Sequence, residues 1–379
     1  MKSIKDIDNL RGVRVLLRLD LNVPIEGGRI VDDFRLRRAM PTLEYLYEKG
    51  AQTIIVSHLE SLTGKSGETL EPVAEYLKKN FNLTFVKNYR NVLLELDRVR
   101  DGSMVLLENV RHYEGEKAND PKFARELASL ADIYVNDAFS VCHREHASVV
   151  GIPKFLPSYA GLGLLDEVKH LSVCFDPPRP FAFILGGAKF DTKLPLIKKF
   201  LDIADHVFVG GALANNFFRE KGMEIGDSTA SPDNFNLKEY FDNPKLILPV
   251  DGEVETAKGV TVKKTSEVRK GEKIMDAGPE TLRELAHVIN KSKFVLWNGP
   301  LGNYEIGYRK PTLELAKIIA QSGAQSVLGG GDTLAAIAEL GLEEKFTFIS
   351  TGGGATLEYL AKGTLPGIEA LTPPAPPLI

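Results

Sequence analysis

The chain has 379 residues; 47 Lys and Arg against 51 Asp and Glu give a formal net charge of −4, and 43% of residues are hydrophobic. This composition belongs to a folded protein of two or three domains, and it excludes a disordered chain, a collagen-like fibre and a disulfide scaffold. A near-neutral chain lacks the broad basic field that nucleic acid or an anionic membrane requires. Neither is expected as a partner, and any anion must be held by a local cluster. The two cysteines, Cys142 and Cys174, lie far apart in sequence, which suits a reducing compartment and offers no metal-ligand spacing. The opening residues Met1-Lys2-Ser3-Ile4-Lys5-Asp6 lack a long apolar core, and no apolar run approaches the ~18 residues of a membrane span. A cytoplasmic protein is expected.

Short β-branched, apolar runs alternate with amphipathic stretches of helical length. In chain order the first half predicts a strand at 13–19, a helix at 34–48, a strand at 53–56 and a helix at 71–80. A strand at 104–107, a helix at 124–130 and a strand at 133–135 follow. The second half predicts strands at 181–185, 207–209, 246–248, 294–297, 326–328 and 346–349, with helices at 279–290, 312–322 and 355–360. Such alternation of doubly buried strands with helices implies parallel sheets in an α/β fold. Between the halves, a charged helix at 164–173 is bracketed by Pro157, Gly161 and Gly163 on one side and by the Pro-rich run 176–180 on the other. That pattern fits a hinge segment at 159–178 between domains at 1–158 and 179–363; an ordinary helix within one domain is the alternative. The Pro-rich tail at 373–379 is expected to be extended or disordered.

The polar residues fall in a pattern. Almost every predicted strand is followed by a glycine cluster or a chemically capable side chain, and open α/β sheets bind ligands beyond the carboxyl ends of their strands. In the first half these are Asp20 and Asn22, then His58, then Glu108, Asn109 and Arg111, then Asn136 and Asp137. Arg18, Arg35, His58, Arg111, His143 and Arg144 make a candidate site for a small polyanion such as a phosphorylated metabolite. His143 and His146, three residues apart, do not make a metal site without a further ligand. The second half supplies Gly186-Gly187-Ala188-Lys189, Gly210-Gly211, Asn298-Gly299, Gly329-Gly330-Gly331-Asp332-Thr333 and Thr351-Gly352-Gly353-Gly354. Glycine-rich strand-to-helix turns present backbone amides to phosphate. Asp332 could hold Mg²⁺ or serve as a plain helix cap. Lys189 and Lys193, four apart near a helix start, suit a bound anion, or are simply solvated. Gly64-Lys65-Ser66 ends like a P-loop, but Leu59 stands where the earlier glycine is required, and no complete dinucleotide fingerprint or nucleophile elbow occurs.

These motifs, in this order, closely resemble the phosphoglycerate kinase family over nearly the full length. The matching segments include Arg18-Leu-Asp20-Leu-Asn22-Val-Pro24, Asp33-Phe-Arg35-Leu-Arg37, Leu106-Leu-Glu108-Asn-Val-Arg111 and His143-Arg144-Glu-His146-Ala-Ser148. Leu185-Gly-Gly-Ala-Lys189, Leu248-Pro-Val-Asp251, Trp297-Asn-Gly-Pro-Leu-Gly302, Gly329-Gly-Gly-Asp-Thr333 and Ser350-Thr-Gly-Gly-Gly-Ala355 extend the match. The resemblance implies two Rossmann-like, doubly wound parallel-sheet α/β domains joined by a hinge helix, with a C-terminal segment at 364–379 returning to the first. It implies phosphoryl transfer from 1,3-bisphosphoglycerate to ADP, giving 3-phosphoglycerate and ATP, with Mg²⁺, in a monomer of glycolysis or gluconeogenesis. On the substrate side it implies Asp20 and Asn22 at the glycerate, Arg111 and Arg144 at its phosphate, His58 in the same site and Arg35 at the transferring phosphoryl. On the nucleotide side it implies Lys189, Lys193 and the amides near Gly331 and Gly353 at that phosphoryl group. Gly187, Gly211, Asn298, Glu305, Gly330 and Thr333 complete the nucleotide site, and Asp332 holds the metal.

The chain departs from the family at one revealing place. After Ser57-His58, members usually continue Leu-Gly-Arg-Pro, whereas here Leu59-Glu60-Ser61-Leu62 follows. One phosphate-binding cation is missing and an anion is added, which puts phosphate affinity in question more than reaction type. Ser140-Val-Cys142 and His112 are smaller departures. A kinase for another phosphorylated acid, or a catalytically weak nucleotide-binding homologue, stays open on these residues.

Overall fold

The structure is a computed structural model and describes residues 1–60, 69–92 and 101–372. Ser61, Leu62, the Gly64-Lys65-Ser66 run and the tail at 373–379 lie outside the described residues. The chain divides into two compact units, Met1–Lys169 with Lys362–Ile379, and His170–Ala361. The division falls inside the helix Leu162–Ser172.

The first unit contains β1 (Arg14–Leu19), a short hairpin β2–β3 (Ile25–Glu26, Arg29–Ile30), β4 (Gln52–Val56), β5 (Leu83–Val86), β6 (Met104–Leu107), β7 (Ile133–Asp137) and β8 (Ser158–Ala160). Six of these form one parallel sheet in the order β5-β6-β4-β1-β7-β8. The chain starts in the middle at β1, builds outward through β4, and then crosses to β7 on the other side. The switch point of the sheet, where ligand crevices open, therefore lies between β1 and β7. The helix Phe34–Glu48 packs on the sheet with Leu36, Ala39, Leu43 and Leu46, a stripe at helical spacing that joins the core. The short helix Pro366–Glu369 also belongs to this unit: Gly367 N donates to Cys142 O at 2.8 Å, and Ala370 packs on Ala138, Val141 and Val149.

The second unit contains β9 (Phe181–Leu185), β10 (His206–Val209), β11 (Leu246–Ile247), an antiparallel trio β12 (Asp251–Thr256), β13 (Gly259–Lys264) and β14 (Lys273–Ala277), then β15 (Phe294–Asn298), β16 (Gln325–Gly329) and β17 (Phe348–Ile349). Its parallel sheet runs β11-β10-β9-β15-β16-β17: as in the first, the earliest strand sits in the middle and the chain later crosses to its other side, here putting the switch point between β9 and β15, but the order of the remaining strands differs. Phe181, Phe183, Phe200 and Phe294 fill its core with edge-on and tilted ring contacts.

The structure adds elements to those read from the sequence and moves several ends. The helix expected at 124–130 runs Pro121–Ala128, because Asp120 caps it by accepting from Lys122 N at 2.9 Å and Pro121 fits the first helical position. The helix expected at 71–80 ends at Leu77, and the strand expected at 346–349 shrinks to Phe348–Ile349. The three-stranded antiparallel sheet and the strands β5 and β8 are additions. Among the described residues, no helix is long and apolar enough to cross a membrane.

Candidate active site

The loops beyond β1, β4, β6 and β7 gather a basic cluster in the first unit. Arg18 is fully buried in the central strand. Its Nε donates to Ser148 Oγ at 2.9 Å, and its Nη2 lies 3.2 Å from His58 Nδ1. Ser148 in turn donates from Oγ to Glu116 Oε1 at 2.6 Å, so a buried carboxylate stands behind the arginine. Burial first, then Arg18 and the other arginines, push the His58 pKa well below its ordinary value. His146, 3.7 Å from Glu116, is lowered to about 4 by burial and by Arg111 and Arg144. Both imidazoles are neutral at neutral pH, so the positive charge here is guanidinium charge.

Asp20 leaves β1 and accepts from Arg35 Nη1 at 2.6 Å, placing the first turn of the helix Phe34–Glu48 against the strand end. The same carboxylate accepts from Ser140 Oγ, and through its other oxygen from Asn22 N at 3.1 Å. Asn22 Oδ1 accepts from Glu60 N at 2.9 Å. Arg111 Nη1 donates to Glu60 Oε1, and Arg144 Nη1 lies 3.6 Å from that oxygen. Among the described residues, the buried Nε and Nη2 of Arg111 have no partner. The structure thus brings Asp20, Asn22, Arg35, His58, Arg111 and Arg144 into one hydrogen-bonded and ion-paired neighbourhood.

The second unit builds its rim from backbone. At the β9–β15 switch point, Gly186 N donates to Asn298 O and Gly187 N to Pro300 O, each at 2.9 Å. A Cβ on Gly186 would lie 2.1 Å from Pro300 O, so only glycine fits. Gly187 has φ +95°, and a Cβ there would meet Lys193 Nζ at 2.7 Å. Lys193 is buried in the first turns of the helix Phe190–Ile203 and donates to Gly186 O at 2.5 Å. Burial lowers its pKa to about 8, with Asp332 pulling the other way and Lys189 adding to the fall. Lys189 is exposed at the N-terminal end of that helix.

Gly330 (φ +104°) precedes the helix Gly331–Leu340, and space around Gly331 is open. Asp332 sits in the first turn, its pKa raised by burial and by Glu305 and held back by Lys193. Thr333 is fully buried and its Oγ1 accepts from Gly299 N at 3.0 Å, so this hydroxyl braces the neighbouring turn. Asn298 is buried, and its Nδ2 has no partner among the described residues. Gly353 (φ +53°) leads into the helix Gly354–Lys362. A cavity of about 300 Å³ opens among Gly187, Gly211, Asn215, Asp276, Glu305 and Asp332. Of the residues expected on the nucleotide side, Gly187, Gly211, Glu305 and Asp332 line it, whereas Lys189, Lys193, Asn298, Gly330, Gly331, Thr333 and Gly353 do not.

Asp276, Glu116 and Ser148 escape sequence reasoning. Asp276 is 2% exposed in β14, and its Oδ2 has no partner among the described residues. Burial pushes its pKa up to about 8, with Glu253 adding to the rise. The one signal in the sequence is a carboxylate set into the otherwise apolar stretch Ile274-Met275-Asp276-Ala277.

Two six-stranded parallel sheets, each with a polar rim at its switch point, give an α/β architecture, and the family whose model the chain matches is one of phosphotransferases. The phosphoglycerate kinase family model matches residues 4–363. A curated phosphoglycerate kinase of Dictyoglomus turgidum is 40% identical over 390 residues, covering 98% of each chain. The solved structure of phosphoglycerate kinase from Coxiella burnetii aligns with TM-score 0.82 and 36% identity over 97% of each chain. That of the Pyrococcus horikoshii enzyme aligns with TM-score 0.83 and 29% identity over 98% of each chain. The chain belongs to the phosphoglycerate kinase family and is a kinase.

Proposed function

We propose that the chain catalyses reversible, Mg²⁺-dependent transfer of a phosphoryl group between 1,3-bisphosphoglycerate and ADP, giving 3-phosphoglycerate and ATP. The observation that supports this best is the contrast between the two switch points: guanidinium groups on one, backbone amides and a buried lysine on the other. Phosphoryl transfer asks for in-line positioning and compensation of charge on the equatorial oxygens, with little proton transfer when the acceptor is a carboxylate. Neutral His58 and His146 accord with that.

In this reading the first unit takes the phosphoglycerate. Asp20 and Asn22 orient the glycerate, Arg111 and Arg144 hold its phosphate, and Arg35 faces the transferring group. The second unit takes the nucleotide. Its phosphates meet Lys189, Lys193 and the amides around Gly187, Gly211, Gly330, Gly331 and Gly353, while Asn298, Glu305 and Thr333 complete the site. Asp332 is the carboxylate that would hold Mg²⁺. Among the described residues no group of three or more His, Cys, Asp or Glu could hold a metal. One carboxylate nevertheless fits, because Mg²⁺ is commonly held by one or two carboxylates together with substrate phosphates. When bound, the ion would neutralise phosphate charge. In-line transfer requires the two substrates to meet, so the reading includes closure of the units about the helix between them. It takes the chain as a cytoplasmic monomer of glycolysis or gluconeogenesis, in keeping with its two free, buried cysteines.

The test is ADP formation from ATP and 3-phosphoglycerate with product removal, with and without Mg²⁺. Turnover that needs both the acid and the metal supports the reading; turnover indifferent to either contradicts it. The Glu60 contact favours, as a second reading, a kinase for a different phosphorylated acid. A substrate panel in which another carboxylic acid outperforms 3-phosphoglycerate as phosphoryl acceptor would select that reading.

A further inference from the structure

The Arg111 side chain is 6% exposed, and its guanidinium carries five N–H donors in a fixed fork. One of them reaches Glu60, while Nε and Nη2 point into buried space with no acceptor among the described residues. Arg144 lies against the same Glu60 oxygen. The other carboxylates of the cluster are committed elsewhere: Asp20 to Arg35 and Ser140, Glu116 to Ser148. The arginine pair is therefore under-supplied with acceptors and has one anion in hand. Glu60 is well placed to be that anion, because its backbone is pinned. Its own N–H donates to Asn22, and the preceding Leu59 carbonyl accepts from Asn109 Nδ2 at 2.8 Å. Its side chain is 48% exposed and has solvent into which it can turn.

We propose that Glu60 is an internal competitor for substrate phosphate: its carboxylate occupies the Arg111–Arg144 pair in the free enzyme and must turn away before a phosphate group can bind. This rests on the reading that these two arginines hold the phosphate of the acid substrate. A phosphate group offers three acceptor oxygens and more negative charge than one carboxylate, so it can displace Glu60. An inorganic oxyanion has only those contacts with which to do so. The phosphorylated acid also gains Asp20 and Asn22 at its other end. Glu60 thus lowers affinity for every phosphate and discriminates against the small inorganic ones.

Sulfate is the probe that separates this from the reaction. Titrated calorimetrically, it should bind Glu60→Gln about tenfold more tightly than wild type, the size expected for one charge-assisted contact freed. Glu60→Asp, which keeps the charge, should stay nearer wild type. The KM for 3-phosphoglycerate should fall in Glu60→Gln while that for ATP does not move. Unchanged sulfate affinity in Glu60→Gln overturns the proposal. Weaker sulfate binding with a raised KM also overturns it, and makes Glu60 a residue that positions the arginines. Tightened sulfate binding without any turnover of 3-phosphoglycerate by wild type would defeat the functional reading and leave the competition standing.

Discussion

On the proposed function the two rims solve one problem, holding phosphate oxygens, with opposite materials. In the first unit the donors are long side chains, and each is restrained by a partner: Arg18 by Ser148 and His58, Arg35 by Asp20, Arg111 by Glu60. In the second unit the donors are main-chain amides, and at Gly186, Gly187 and Gly211 there is no room for a Cβ; Lys193, a buried cation, is tied to a main-chain carbonyl. Side-chain donors can be exchanged or opposed by a single substitution elsewhere, as the contact of Glu60 with Arg111 illustrates. Backbone donors cannot be removed by a side-chain change, but one methyl group can displace them. The first rim should therefore be sensitive to charge and the second to volume.

The largest effect expected from this contrast is on turnover. Replacing Arg35 by alanine removes a donor aimed at developing charge and should lower kcat by ~2.7–4 kcal/mol of barrier, roughly a hundredfold to a thousandfold. An Arg35→Ala enzyme that turns over ATP at the wild-type rate would break the comparison on the charge side. Next comes Gly186→Ala, whose new methyl would meet Pro300 O at 2.1 Å. Forcing it in should destabilise the second unit by about 1–3 kcal/mol, read as a lowered denaturant midpoint. An unchanged midpoint would show that the turn yields, and that volume is not what protects this rim.

A third effect is one of pH. Asp276 holds a proton in the folded state up to about 8, whereas the unfolded chain releases it in the ordinary carboxylate range. Folding stability from the neutral form is fully present below that range and is lost as pH rises through the folded value. Asp276→Asn cannot ionise, so its melting temperature should rise relative to wild type between about pH 5 and about pH 9, the gap widening with pH. A gap that stays constant would mean that Asp276 is already ionised in the native protein.

What the sequence reveals, and what it hides, follows from burial. The helix Phe34–Glu48 is legible to the residue because its apolar stripe is regular and an acidic run precedes it. Most of the parallel strands are legible because both faces are buried and their residues read as apolar runs; the edge strands β5 and β8 are only partly buried and do not. The antiparallel sheet is not: β13 is almost wholly exposed, and its valines alternate with polar residues instead of forming a run. The helix Ala212–Glu220 is masked by Asn215 and Asn216, buried polar residues that interrupt its apolar period. The rim residues are visible since a polar residue directly after an apolar run marks the end of a strand. Glu116, Ser148 and Asp276 carry no such mark; they are recognised only when their burial and partners are known. Glu60 is intermediate. Its charge stands out in the sequence, but its reach to Arg111 and Arg144 depends on loops that converge only in the fold.

The division of labour between the units is tested most directly by a crossed titration. 3-Phosphoglycerate and ADP are each titrated into Arg144→Met and Lys193→Met, with wild type as the reference. The account predicts that Arg144→Met weakens the acid by about ten- to a hundredfold, the worth of one charge-assisted hydrogen bond, and leaves ADP within error. It predicts the reverse for Lys193→Met. Loss of both ligands in either variant, or of the same ligand in both, would contradict the assignment of one substrate to each rim.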